Sequence, residues 1–174
     1  MLVRSAEVAL VPVKHAEVLN RLRKGDESWD APIPETYGTF LGRPLRLTIH
    51  AYVQVVSYIR DPSPPPTEAE LSLADIILDH LPALLGEAQQ RFLHYNTEMT
   101  YDPEVVAHVV RPRVFISRND PGGKTDQRWS LSVERDDNPI GYSVDFDGCA
   151  IARHGPRRDG GPAAEEPNAA QDFA

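Results

Sequence analysis

The sequence predicts an α+β domain, an antiparallel meander sheet with a helical block packed on one face. Three observations predict it. Apolar residues alternate with a period of two over 45–59, recur with a helical period over 71–95, and alternate again in short segments between 110 and 146. Strands, helix and strands in a chain of 174 residues fit one core with the helices gathered on one sheet face. The domain is expected to span 1–153, with an N-terminal helix and irregular segment over 1–35 and the main sheet and helices over 36–153. From 154 to 174 Gly, Pro, Ala and Glu dominate, and a disordered tail is expected.

Taken in order, residues 6–13 fit a short strand, and Ala16, Leu19 and Leu22 recur at helical spacing within 13–24 before Gly25 ends the helix. Residues 26–35, with Trp29, Pro32 and Pro34, carry no period and read as irregular. Strands follow over 37–40 and 45–59, joined by a Gly42-Arg43-Pro44 turn. In the longer one Leu45, Leu47, Ile49, Ala51, Val53 and Val55 share a face, with Arg46, Thr48, His50, Tyr52 and Gln54 on the other. Residues 61–66, four of them proline, form a stiff linker.

Thr67 followed by Glu70 has the spacing of a capping box, so a helix begins there. Leu71, Ala74, Leu78, Leu81 and Leu85 make its apolar stripe, and Ala88, Phe92 and Tyr95 continue it. Pro82 is expected to break or kink the run into two helices, since it lacks an amide proton. Asp102-Pro103-Glu104 is a second start signal, for a short helix to about His108. Strands over 110–118, 128–135 and 140–146 then close the fold, with turns at 119–125 and 136–139, and Asp147-Gly148 turns the chain into a last strand from Cys149 to Arg153.

Charge is unevenly spread. Residues 67–104 hold eight carboxylates (Glu68, Glu70, Asp75, Asp79, Glu87, Glu98, Asp102 and Glu104) against one cation, Arg91, in a chain of net charge −8. An acidic protein repels DNA, RNA and anionic membranes and attracts basic partners. Cys149 is the only cysteine, which excludes an intramolecular disulfide and a thiolate metal cluster and points to a reducing compartment. No run approaches the roughly 20 apolar residues of a membrane helix, and the first 13 residues are too charged for a secretory signal. Cytoplasm is the expected location.

Motifs that suggest chemistry dissolve on inspection. Gly123-Lys124-Thr125 ends like a phosphate loop, but Arg118 stands where the first glycine is needed and a strand follows. Asp145-Phe146-Asp147-Gly148 resembles part of a calcium loop without its closing Glu. Glu104 and His108, four apart, lack a third ligand, so no metal or cofactor is expected. His50 sits beside Tyr52 on the polar strand face with no nucleophile motif around it. Trp129 heads an alternating strand and reads as core, whereas Trp29 lies in a proline-rich stretch and reads as an exposed anchor. Glu68, Asp75 and Asp79 align on one helix face, and no lysine in the segment relieves the like charges of Asp75 and Asp79.

The runs Gln127-Arg128-Trp129-Ser130-Leu131-Ser132-Val133-Glu134-Arg135 and Gly141-Tyr142-Ser143-Val144-Asp145-Phe146-Asp147-Gly148 resemble the closing meander of a group of small bacterial α+β domains of uncharacterised function. The resemblance covers the order of elements over 36–153. Some domains of this group resemble immunity proteins, which block the active site of a toxin encoded beside them. It implies a non-enzymatic protein that binds and neutralises a toxin. The polarised charge, read beside it, nominates Glu68, Asp75, Asp79 and Glu87 as contact residues for a basic toxin domain, with Trp29 as an exposed anchor. Two alternatives remain open at this level. One is a small enzyme or ligand-binding domain using the polar sheet face around His50, with Arg46 and Tyr52. The other is a homodimer paired through an uncovered sheet face.

Overall fold

The computed structural model describes residues 14–51, 64–99, 104–118, 127–137 and 140–156. Expectations for residues 1–13, 52–63, 100–103, 119–126, 138–139 and 157–174 lie outside that set, among them the first strand, Tyr52, the proline linker up to Ser63, the 119–125 turn and most of the tail. The elements are α1 (Ala16–Leu19), β1 (Arg23–Lys24), β2 (Ser28–Pro32), a 3-10 turn (Glu35–Tyr37), β3 (Arg46–Ala51), α2 (Glu68–Leu93), α3 (Val105–His108), β4 (Val109–Arg118), β5 (Arg128–Arg135), β6 (Tyr142–Asp147) and β7 (Ala150–Pro156). A π-helical turn, His94–Met99, extends α2.

The α+β class holds. The seven strands among the described residues form one sheet in sequence order, β1 through β7. Every neighbouring pair is antiparallel except β3 and β4, which run parallel. The sheet is therefore two meanders joined at one parallel pair, because a crossover that contains a helix returns the chain in the same direction. α2 is the helix of that crossover.

Its start follows the sequence: the Thr67 hydroxyl accepts from the Glu70 amide at 3.2 Å, and the Glu70 carboxylate accepts from the Thr67 amide at 2.8 Å. The expected break at Pro82 does not occur, and one helix of 26 residues runs through it. Pro82 faces outward, while Ile77, Leu78 and Leu81 before it and Leu84, Leu85 and Ala88 after it are all buried. Burial of about 1.5–3 kcal/mol per large apolar side chain on both sides outweighs the roughly 3 kcal/mol that an interior proline costs.

The core joins this stripe to one sheet face. Leu47 and Ile49 stand in register with Val114 and Ile116, Leu131 with Val114 and Val144, and Trp129 with Phe146. All are nearly or wholly buried in one cluster with Phe40, Leu45 and Phe92. Gly38 brings the loop before β3 onto α2. Its φ is +114°, and a Cβ there would stand 2.7 Å from Leu85 Cδ1.

Several boundaries move. Residues 28–32, expected to be irregular, form β2, with Trp29 and Ala31 toward the core and Asp30 on the opposite face. The first helix is one turn, after which the chain enters β1. Residues 37–40 hold the end of the 3-10 turn and a single bridge from Phe40 to Arg43 rather than a strand. β6 begins at Tyr142, Cys149 lies in the turn after it, and β7 continues to Pro156, so His154, Gly155 and Pro156 belong to the sheet and not to a tail.

Candidate functional site

The acidic face of α2 is occupied by the chain's own N-terminal segment. Asp75 Oδ1 accepts from the His15 amide at 2.8 Å and Oδ2 from the Lys14 amide at 3.1 Å. Lys14 Nζ pairs with Asp79, whose carboxyl it holds below its ordinary value, and His15 Nε2 lies 3.5 Å from the same carboxylate. His15 Nδ1 is 2.8 Å from the Tyr37 hydroxyl, which donates to Glu17. Burial and then the bond to Glu17 push the Tyr37 phenol up to about 12, and the phenol draws the Glu17 carboxyl down.

The lysine that residues 67–104 lack is thus supplied from far along the chain: its ammonium pairs with Asp79, while Asp75 holds the main-chain amides of Lys14 and His15. Glu87 lies 3.9 Å from Arg91, and Glu98 lies 3.1 Å from His94. Glu70 is buried in the helix cap. Glu68 stays on the exposed surface. Trp29, expected as an exposed anchor, is half-buried in β2 and packs against the core. Trp129, expected as core, is 4% exposed, stacks on Phe146 at 4.1 Å and donates through Nε1 to the Gly148 carbonyl. The five expected contact residues therefore do not converge on one surface.

Polar residues do converge on the sheet face away from α2. One cross-strand row runs through all seven strands, Arg23, Asp30, Thr48, Phe115, Ser130, Asp145 and Arg153. The next row holds Pro32, Arg46, Arg113, Ser132, Ser143 and Gly155. Thr48 donates to Asp30 at 2.6 Å, and Ser28 donates to the other oxygen of the same carboxylate. Burial pushes the Asp145 carboxyl up, against the opposing pull of Ser143 and Arg153.

At the centre lies an aromatic pair. The His50 imidazole tilts over the half-buried Phe115 ring at 5.5 Å, and its Nε2 stands 3.5 Å from Glu27. Phe115 escaped sequence reasoning because β4 was read as an alternating strand without assigning faces. The alternation of Val114 and Ile116 around it places it opposite the core.

A second histidine site ties α3 to the end of β5. His108 Nδ1 is 2.8 Å from Asp136 Oδ1 and its Nε2 is 3.9 Å from Asp137. Asp136 raises the imidazole from its ordinary value, and the Arg135 guanidinium, with bonds of 2.8 and 2.6 Å, holds Asp137 low. These three side chains have the residue types of a cation site. Arg135 already engages both oxygens of Asp137, so the cluster is balanced as an ion-pair network. Glu104, paired with His108 in the sequence reading, is not in it.

Among the described residues no helix is long and apolar enough to cross a membrane. No family model matches the chain, and no curated protein or solved structure matches it.

Proposed function

We propose that the chain is a non-enzymatic binding protein, an immunity protein that occludes a bacterial toxin, and that its contact surface is the polar sheet face rather than the acidic stripe of α2. The observation that carries this reading is the aromatic pair of Phe115 and His50 at the middle of a polar face. An aromatic anchor inside a polar, charged rim is the usual anatomy of a protein interface, and a hydrogen-bonded sheet holds it pre-organised. His50 is held over Phe115 with its Nε2 3.5 Å from Glu27, so the ring forms part of that surface. Glu68 and Glu87 remain on the outer side of α2, where they add to a field that draws a cationic partner.

The test identifies the genes that flank this one and takes any toxin domain they encode, co-expressed with the chain and titrated against it; flanking genes that encode no toxin overturn the function. Phe115→Ala removes an anchor, and a central anchor is worth about 2 kcal/mol or more, so affinity falls by roughly 30-fold and protection is lost. Glu68→Lys with Glu87→Lys slows association a few-fold and leaves dissociation nearly unchanged. A Phe115→Ala chain that is folded, by its NMR dispersion, and binds as tightly as the parent overturns the surface. A wild-type chain that neither binds nor protects overturns the function.

A further inference from the structure

We propose that the cross-strand row of Arg46, Arg113 and Ser132 is a binding site for an oxyanion, a carboxylate or a phosphate group. Arg46 and Arg113 are register partners on the parallel strands β3 and β4. Neighbouring strands lie about 4.8 Å apart, so two cationic side chains leave adjacent positions on one sheet face, a pairing of like charges that costs energy unless an anion joins them. One carboxylate serves two arginines of the cluster: Glu134 takes Arg113 at 2.9 Å on one oxygen and Arg111 at 3.5 Å on the other. Three cations against one anion leave a local excess of positive charge on a protein of net charge −8. Among the described residues Arg46 has no ion pair.

Two further observations fall on the same row. Ser132, next to Arg113 in register, is 3% exposed, and its hydroxyl is buried with no hydrogen-bond partner. A buried hydroxyl left unmade costs energy that a seated oxyanion, accepting its proton, would recover. Arg111, meanwhile, adopts φ +46°, a left-handed conformation that side chains disfavour. It lies in a bulge where the pairing shifts between Val110 and Arg113, so Arg111 and Pro112 together stand opposite one residue of β5. Bulges of this kind re-aim side chains, and this one brings Arg111 and Arg113 onto the same carboxylate. The forked guanidinium geometry fits two oxygens of one carboxylate or phosphate, with Arg46 as the group free to close over it.

The site does not depend on the protein-binding reading, and its test uses the isolated chain. Amide NMR spectra are followed while sodium chloride is replaced, at constant ionic strength, by inorganic phosphate in one series and acetate in another. Saturable shifts at Arg46, Arg113 and Ser132 are expected. Saturation by phosphate alone assigns the site to phosphate groups, by acetate alone to carboxylates, and by both to oxyanions in general; each supports the site. Arg46→Gln and Ser132→Ala each weaken binding about tenfold. Glu134→Gln, which removes the competing carboxylate, tightens it. The absence of saturable shifts in both series, wild-type affinity in Arg46→Gln, or unchanged or weaker binding in Glu134→Gln overturns the proposal.

Discussion

Replacing Asp75 by alanine tests whether the N-terminal segment is fastened to α2 or merely rests on it. The carboxylate accepts two main-chain amides, from His15 at 2.8 Å in a half-buried setting and from Lys14 at 3.1 Å at the surface. A hydrogen bond to a charged acceptor contributes about 1.5–3 kcal/mol when shielded, and only the His15 bond is shielded, so the loss is about 2 kcal/mol in all. Behind those two bonds Val18, Leu19 and Leu22 enter the core, so loosening the segment opens a route to part of it. In a domain of this size 1 kcal/mol shifts the melting temperature by about 2–4 °C, which places the expected drop near 4–8 °C. Amide exchange gives the sharper reading, because protection at Val18 and Leu19 falls in Asp75→Ala while that of the β5 amides follows only the global change. Asp75→Asn, which keeps one acceptor oxygen without the charge, falls between. An Asp75→Ala protein that melts within about 1 °C of the parent, with unchanged exchange at Val18 and Leu19, refutes the reasoning.

Two other outcomes follow from the packing and the electrostatics. Gly38→Ala sets a methyl group 2.7 Å from Leu85 Cδ1 on a backbone at φ +114°, and the combined clash and strain lower stability by about 2–4 kcal/mol in urea unfolding. Gly42→Ala, at φ +76° with nothing within 4 Å, is strained without a clash and costs less. Asp145 has its carboxyl raised above 3.8 by burial, so the folded state favours the protonated form. Its contribution to stability is complete below 3.8 and is lost as pH rises through the raised folded-state value. Asp145→Asn removes that portion of the pH dependence and makes the chain more stable than the parent at neutral pH, as melting curves from acid to neutral would record; a parallel pH profile in the variant contradicts it.

What the residues made legible was whatever depends on near neighbours. The capping box at Thr67 and Glu70, the apolar stripe of α2 and the alternation through β4, β5 and β6 all lie within a few positions along the chain, and all are found where expected to within two residues. β2 is hidden in the sequence because Pro32 and Pro34 interrupt the strand pattern in which Trp29 and Ala31 alternate with Ser28 and Asp30. Pro82 misled because a local penalty was weighed without the sheet that pins both halves of the helix. The acidic stripe misled for the same reason on a larger scale: Lys14 and His15, which neutralise and cap it, are remote in sequence and reach α2 only through tertiary structure. The polar rows of the sheet were half visible, since the face of Arg46, Thr48 and His50 was recognised, but their alignment with Arg113, Phe115 and Ser132 required the register of β3 on β4.

That parallel pair also determines when the molecule acquires its surfaces. Each meander is built from strands adjacent in sequence and can zip locally, whereas joining β3 to β4 requires closing the entire crossover that contains α2. A slip of one residue at the joint would turn Arg113 and Phe115 toward the core and Val114 toward water, so the inward match of Leu47 with Val114 and Ile49 with Ile116 fixes the outward match as well. Both the Phe115–His50 pair and the arginine row straddle this seam. Neither half of the chain carries either surface alone, so both proposed surfaces form only when the final register is reached.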